Sequence, residues 1–234
     1  MRRVVCAALL ALACAPAARA DSPIPDVAGS VVRSRRWIVR RGKKPEEEFV
    51  GDVRYHAEGA DARADWALYR HWAADWRARG HVWLRRVLSG GDAVEARGET
   101  ARYDQATEAG RLDPAPGGLV SFSRTPPQGG PPDLGEGRRF SWVGRESAEL
   151  DGAARAWGPR VEFWADRARF DSAPSRVTLT GGRPVLRRLE GANPGAVKAD
   201  VIVGYDDPRR LVATGRAVGW VVFTDTAAFK DGTR

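Results

Sequence analysis

Cysteine is scarce in this chain of 234 residues. There are two, Cys6 and Cys14, and both fall in the first twenty positions. Histidine is nearly as rare. His56, His71 and His81 show no metal-ligand spacing with carboxylates, so no zinc-type motif is present. There is no Gly-x-Ser-x-Gly elbow and no phosphate-cradling glycine loop, which removes the signatures of a serine hydrolase and a nucleotide enzyme. No apolar run reaches the roughly 18 residues of a spanning helix, which excludes a multi-span helical membrane protein. Disorder as the main state is excluded too, because the apolar fraction is 43% against 29% charged. The length suits one generous domain, or two small ones.

Residues 1–20 read as a secretory signal peptide. Arg2 and Arg3 start it, Val4 to Ala15 form a short apolar run, Pro16 closes it, and Ala18-Arg19-Ala20 is a small-x-small cleavage site. The alternatives are a retained anchor and lipidation at Cys14. Cleavage removes Arg2, Arg3 and Arg19, taking the formal charge from +8 to +5, and removes both cysteines. The mature chain then has no disulfide and depends on core burial and sheet hydrogen bonds. Export makes nucleic acid a poor partner for the basic balance. Anionic lipid, anionic polysaccharide or an acidic surface fit better.

The chain repeats itself. Ala64–Gly80 aligns without a gap on Ala165–Gly181: Ala64, Asp65, Ala67 and Gly80 recur as Ala165, Asp166, Ala168 and Gly181, and Tyr69 becomes Phe170. A further copy has Ala101 and Tyr103-Asp104, and another has Ala199-Asp200, Tyr205-Asp206 and Gly215. A degenerate one lies near 147–151. A period near 34 points to stacked units.

Residues 60–79 alone would suit a helix, with Trp66, Tyr69, Ala73 and Trp76 on one stripe. The aligned copies decide otherwise. They hold Ser172-Ala173-Pro174 and Asp207-Pro208 at the same place, which reads as strand–turn–strand. Trp76, Ala78, Gly80, Val82 and Leu84 then share one strand face, opposite Arg77, Arg79, His81, Trp83 and Arg85. Residues 113–139 are dominated by Pro and Gly and are expected to be a long loop with a short strand at Leu119–Ser123. Residues 21–46 are expected as an extended lead-in and 224–234 as a tail. The recurring Asp65, Asp166 and Asp200 read as structural, and Glu46-Glu47-Glu48 as a solvated face.

A repeated small-Asp-x-Ala-x-aromatic-Asp phrase, a turn, and x-Leu-x-Gly-x-Val after a signal peptide resembles the OstA-like (LptA/LptC) lipopolysaccharide-transport family over roughly residues 47–223. The resemblance implies an all-β fold, a twisted β-jellyroll of two facing antiparallel sheets. It implies no enzyme and no cofactor. Family members hold lipopolysaccharide acyl chains between the sheets and stack edge to edge as a bridge to the outer membrane, so the expected partners are an anionic lipid and other jellyrolls, in the periplasm. The lining would be Trp66, Leu68, Trp76, Val82, Leu84, Phe163, Val177, Leu179, Leu211 and Ala213. Headgroup phosphates would meet Arg77, Arg79, Arg85 and Arg187, since guanidinium pairs bidentately with phosphate. Another reading is an exported polysaccharide-binding sandwich using Trp37, Trp83 and Trp142. A third is a hydrolase with a carboxylate pair.

Overall fold

Period-two alternation runs through the long strands of the described chain, interrupted at bulges. The computed structural model describes residues 30–88, 91–144, 147–189, 194–205 and 210–221, so the expected signal peptide and the tail at 224–234 lie outside the described residues. Among the described residues there is no helix. The strands are β1 (Ser30–Arg33), β2 (Arg36–Arg40), β3 (Glu46–Ala57), β4 (Ala60–Arg70), β5 (Asp75–Val87) and β6 (Ala93–Asp104). Then come β7 (Ala109–Asp113), β8 (Val120–Thr125), β9 (Asp133–Gly137), β10 (Arg139–Val143), β11 (Ser147–Trp157) and β12 (Val161–Ser172). The chain ends in β13 (Ser175–Thr180), β14 (Val185–Arg188), β15 (Gly195–Lys198), β16 (Val201–Tyr205), β17 (Arg210–Thr214) and β18 (Val218–Val221). The Ala-rich stretch at 60–79 is the β4–β5 hairpin. The comparison of repeat copies outweighs its helical stripe.

The long strands belong to two half-sheets at once. β3 pairs with β2 through 46–50 and with β1 through 54–57. β6 pairs with β7 through 100–104 and with β8 through 93–97. β11 and β12 divide in the same way, between β10 and β9 and between β13 and β14. The first half-sheet therefore runs β2, β3, β4, β5, β6, β7, β10, β11, β12, β13, β16, β17. The second runs β1, β3, β4, β5, β6, β8, β9, β11, β12, β14, β15, β18. Every pairing is antiparallel. This is the all-β jellyroll of facing antiparallel sheets that the resemblance implied, built from the strand–turn–strand units that the repeats predicted.

Each bend has a physical cause. The register slips between Val50 and Val53, Arg63 and Trp66, Arg79 and Val82, and Asp151 and Ala154. These are β-bulges, which kink a strand and re-aim it. Gly80 and His81 both sit at positive φ (78° and 49°) at one of them. A side chain at Gly80 would also collide with Asp65, since a Cβ would lie 2.4 Å from Oδ2. Asp166 over Gly181 and Asp200 over Gly215 repeat this contact. The recurring Asp and the Gly fifteen residues later are thus two halves of one corner.

Inward faces meet in a shared core. It draws Leu112, Phe140, Leu150 and Leu179 from the first half-sheet and Val82, Val120, Phe122 and Phe163 from the second. Burying each such side chain stabilises the fold by about 1.5–3 kcal/mol. Within residues 113–139 the short strand expected at Leu119–Ser123 is present as β8, but the remainder is not one long loop. The segment holds β8, β9 and the first residue of β10, and β8 and β9 pair from Val120–Gly137 to Arg124–Asp133. Gly135 is there because the Phe122 ring lies flat over it, leaving a Cβ only 1.9 Å of room. Part of the expected lead-in is strand as well, in β1 and β2.

Candidate functional site

The interior between the half-sheets is the candidate site, and its two ends differ from its middle. At the N-terminal end, Trp37 on edge strand β2 stacks on Phe49 (centroids 6.2 Å), and Phe49 on Trp76 (6.1 Å). Trp76 stacks on Tyr69 (4.7 Å) and takes Tyr55 edge-on (6.3 Å). Trp37 is 62% exposed although it faces inward, because among the described residues no further strand covers it. Its indole N–H donates to Glu47 (3.0 Å), which also meets His71 (2.8 Å). The Tyr69 hydroxyl donates to Gln105 (2.9 Å), and burial holds its pKa above the usual phenol value. At the C-terminal end Leu211 on β17 and Val221 on β18 point inward and are 48% and 55% exposed.

The middle is filled. Leu112, Phe140, Leu150 and Leu179 have no solvent exposure, and Trp142 lies flat over Gly110. The apolar lining is continuous from end to end, but side chains occupy the space between the open mouths.

The expected lining residues are placed unequally. Trp76, Val82, Leu84, Phe163, Val177, Leu179, Leu211 and Ala213 face inward. Val82 and Leu179 lie in the filled middle, Trp76 at one mouth and Leu211 at the other. Trp66 and Leu68 are corrected. They lie on the outer face, because Ala67 and Tyr69 take the inward positions of β4, opposite Phe49 and Glu47 on β3. Trp66 donates to Glu48 (2.7 Å) and carries the Arg79 guanidinium over its ring (4.4 Å). That indole bond, and then Arg40, holds Glu48 below the usual carboxylate range. The inward Tyr69, Phe49 and Phe170 escaped the sequence reading. The repeat itself carried the signal, since Tyr69 and Phe170 are its recurring aromatic.

The four expected headgroup arginines are also corrected. All point outward, because they alternate with the inward residues, and none gathers at a mouth. Arg77 faces Asp75 (3.6 Å), Arg79 stacks on Trp66, Arg85 pairs with Asp61 (3.3 Å) and Arg187 with Glu162 (3.6 Å). The tryptophan trio of the glycan reading is not brought together. Trp142 is buried in the core, and Trp83 is half-buried under Arg63 while donating to Glu95 (3.1 Å). Glu46-Glu47-Glu48 is not a solvated row, since each carboxylate accepts an indole N–H, from Trp72, Trp37 and Trp66.

Carboxylates elsewhere are held by arginine. Asp92 and Asp133 share Arg124 (2.9 and 3.8 Å), and burial raises the Asp133 pKa. Asp171 is pushed up by burial, but bonds from Arg176 and Arg169 outweigh that and lower its pKa overall. Among the described residues no group of three or more His, Cys, Asp or Glu could hold a metal ion.

No protein-family model matches the sequence, and no curated protein matches it. Among solved structures, the chain matches LptH, the LptA-homologous periplasmic component of the lipopolysaccharide transport device of Pseudomonas aeruginosa. The identity is 12%, over 71% of this chain and 95% of that one, at a TM-score of 0.34.

Proposed function

We propose that this chain is a non-enzymatic periplasmic carrier that takes acyl chains of lipopolysaccharide, or of a similar anionic lipid, between its half-sheets. The observation that carries the reading is the apolar lining that surfaces uncovered at both mouths, through Trp37 and Val39 at one and Leu211 and Val221 at the other. Lipid tails need a dry, continuous surface, and inward side chains left half in water supply one at the entrance. The filled middle means that tails enter from the ends and advance only as the half-sheets part. β1, β2, β17 and β18 each pair in register with one neighbour only among the described residues. Such edges accept a strand from another jellyroll or a second copy, which extends the lining from one molecule to the next.

Photo-crosslinking tests the reading. A crosslinking residue at Trp76 or Leu211 is expected to form adducts with lipopolysaccharide, while one at Leu179 gives few. No adducts at any inward position, together with binding to glycans, would overturn it.

A further inference from the structure

The outer face of the first half-sheet carries a charge arrangement that the interior does not explain. Arg77 on β5 stands directly opposite Arg102 on β6, and Arg102 directly opposite Arg111 on β7. Neighbouring strands are about 4.8 Å apart, so three guanidiniums leave the sheet from three successive strands in one line. Like charges directly opposite each other destabilise a sheet. The same face shows how the fold avoids this elsewhere. One row over, Asp113 sits between Arg111 and Arg139, and Asp151 between Arg139 and Arg167. In the arginine line, Arg77 has only a 3.6 Å contact to Asp75, which Arg70 already engages through two bonds. The nearby Asp104 is occupied by Thr107 (2.9 Å). Arg102, exposed at the centre, has no hydrogen-bond or ion-pair partner among the described residues.

The rim beside this line is apolar and cationic together. Trp72, in the β4–β5 turn, is 46% exposed, with Lys44 and Arg70 over its ring (4.9 and 4.8 Å). Val143, at the end of β10 on the same rim, is 51% exposed. Guanidiniums suited to phosphate, next to an exposed indole and an aliphatic side chain, match the layered chemistry of a bilayer surface. A small soluble anion would use the arginines and leave Trp72 and Val143 unexplained.

We propose that this face docks on an anionic phospholipid surface, with Arg102 and the loosely held Arg77 on lipid phosphates, Arg111 held beside them by Asp113 (2.6 Å), and Trp72 and Val143 at the headgroup boundary. The proposal does not depend on the interior holding lipid. It concerns the opposite side of the sheet and is read by a different experiment.

Vesicles of phosphatidylcholine alone, and of phosphatidylcholine mixed with phosphatidylglycerol, are sedimented with the chain. Binding is expected to the mixed vesicles only and to fall with added salt. Arg102→Thr is expected to weaken it about fivefold, and the double change of Arg77 and Arg102 to Thr on the order of twenty-five-fold. Trp72→Ala weakens it further. Arg54→Ser and Arg216→Ser remove arginines already paired with Asp52 and Asp200 and leave binding unchanged. The proposal is overturned if the double variant binds like the parent, or if the paired-arginine controls lose as much. It is also overturned if inorganic pyrophosphate binds the parent while vesicles do not, which would make the ligand a soluble phosphate. Arg102→Thr removes a repulsion, so a melt at or above the parent's temperature separates lost binding from lost fold.

Discussion

Phe140, Leu112 and Leu150 in the middle of the sandwich are shut off from solvent, while Trp37, Val39, Leu211 and Val221 on the terminal strands face the same interior half in water. Both sets follow the same alternation. The difference is coverage. A middle strand has neighbours on both sides and a facing half-sheet, whereas a terminal strand has one neighbour among the described residues. One repeat therefore builds two materials, a packed core that holds the fold and uncovered apolar ends that a ligand or another chain can reach. Stability and accessibility separate along the stack.

Substitution should expose that separation most sharply at the two extremes. Phe140→Ala is expected to cost about 3–5 kcal/mol, and Leu211→Ala about 1 kcal/mol or less, in urea unfolding. Comparable losses at both positions would mean that the C-terminal end is covered in solution. Next in size come the bends. Gly80→Ala puts a Cβ at positive φ and against Asp65, and is expected to cost about 1–3 kcal/mol by the same measurement. Asp65→Ala in the same chain should recover part of that loss, because it removes the carboxylate from the collision and leaves the contact to the residue-65 Cβ (2.7 Å) and the strained φ.

The sequence revealed the sheet wherever side-chain size agreed with position. On β5 the apolar Trp76, Val82 and Leu84 are the inward residues, and simple alternation finds them. On β4 size misleads. Trp66 and Leu68 are bulkier than Ala67, yet the small residue faces inward, because Phe49 and Trp76 already fill that space. Glycine misleads at 113–139 for a related reason. Gly135 and Gly137 look like loop residues but are strand residues that let Phe122 and Leu150 approach the backbone. The bends were legible only in part. Asp65, Asp166 and Asp200 stand out as recurrent, but their contact with a glycine fifteen residues later crosses between strands, and no local pattern shows it.

The outer face offers a smaller effect of opposite sign. Arg102→Thr removes a like charge from between Arg77 and Arg111 and supplies a good strand former. It is expected to stabilise the chain by about 0.2–1 kcal/mol, most clearly at low salt. A loss of stability would mean that Arg102 is engaged in solution. The matching change at Arg139, between Asp113 and Asp151, should be neutral or slightly destabilising.

The finest contrast lies between the first and last bends. His81 Nδ1 is 2.8 Å from Asp65, and Arg216 is 2.7 Å from Asp200, at equivalent corners of two repeats. The Asp65 carboxylate holds the His81 pKa above its ordinary value of about 6.5. The pair's contribution is thus fully present below the unfolded value and fades as pH rises through the folded one. At the other bend Arg216 stays charged throughout. It holds Asp200 below the usual carboxylate range, so that contribution persists at neutral and basic pH and is lost only as pH falls through the folded Asp200 value. Both pairs are exposed, so the effects are small. Between mildly acidic and mildly basic pH, amide exchange at 79–82 should quicken relative to 214–217. His81→Arg should abolish that difference, because it gives the first bend the cation that the last already has. If the imidazole titrates at its ordinary value in proton NMR, the contact to Asp65 does not form in solution, and the two corners differ for another reason.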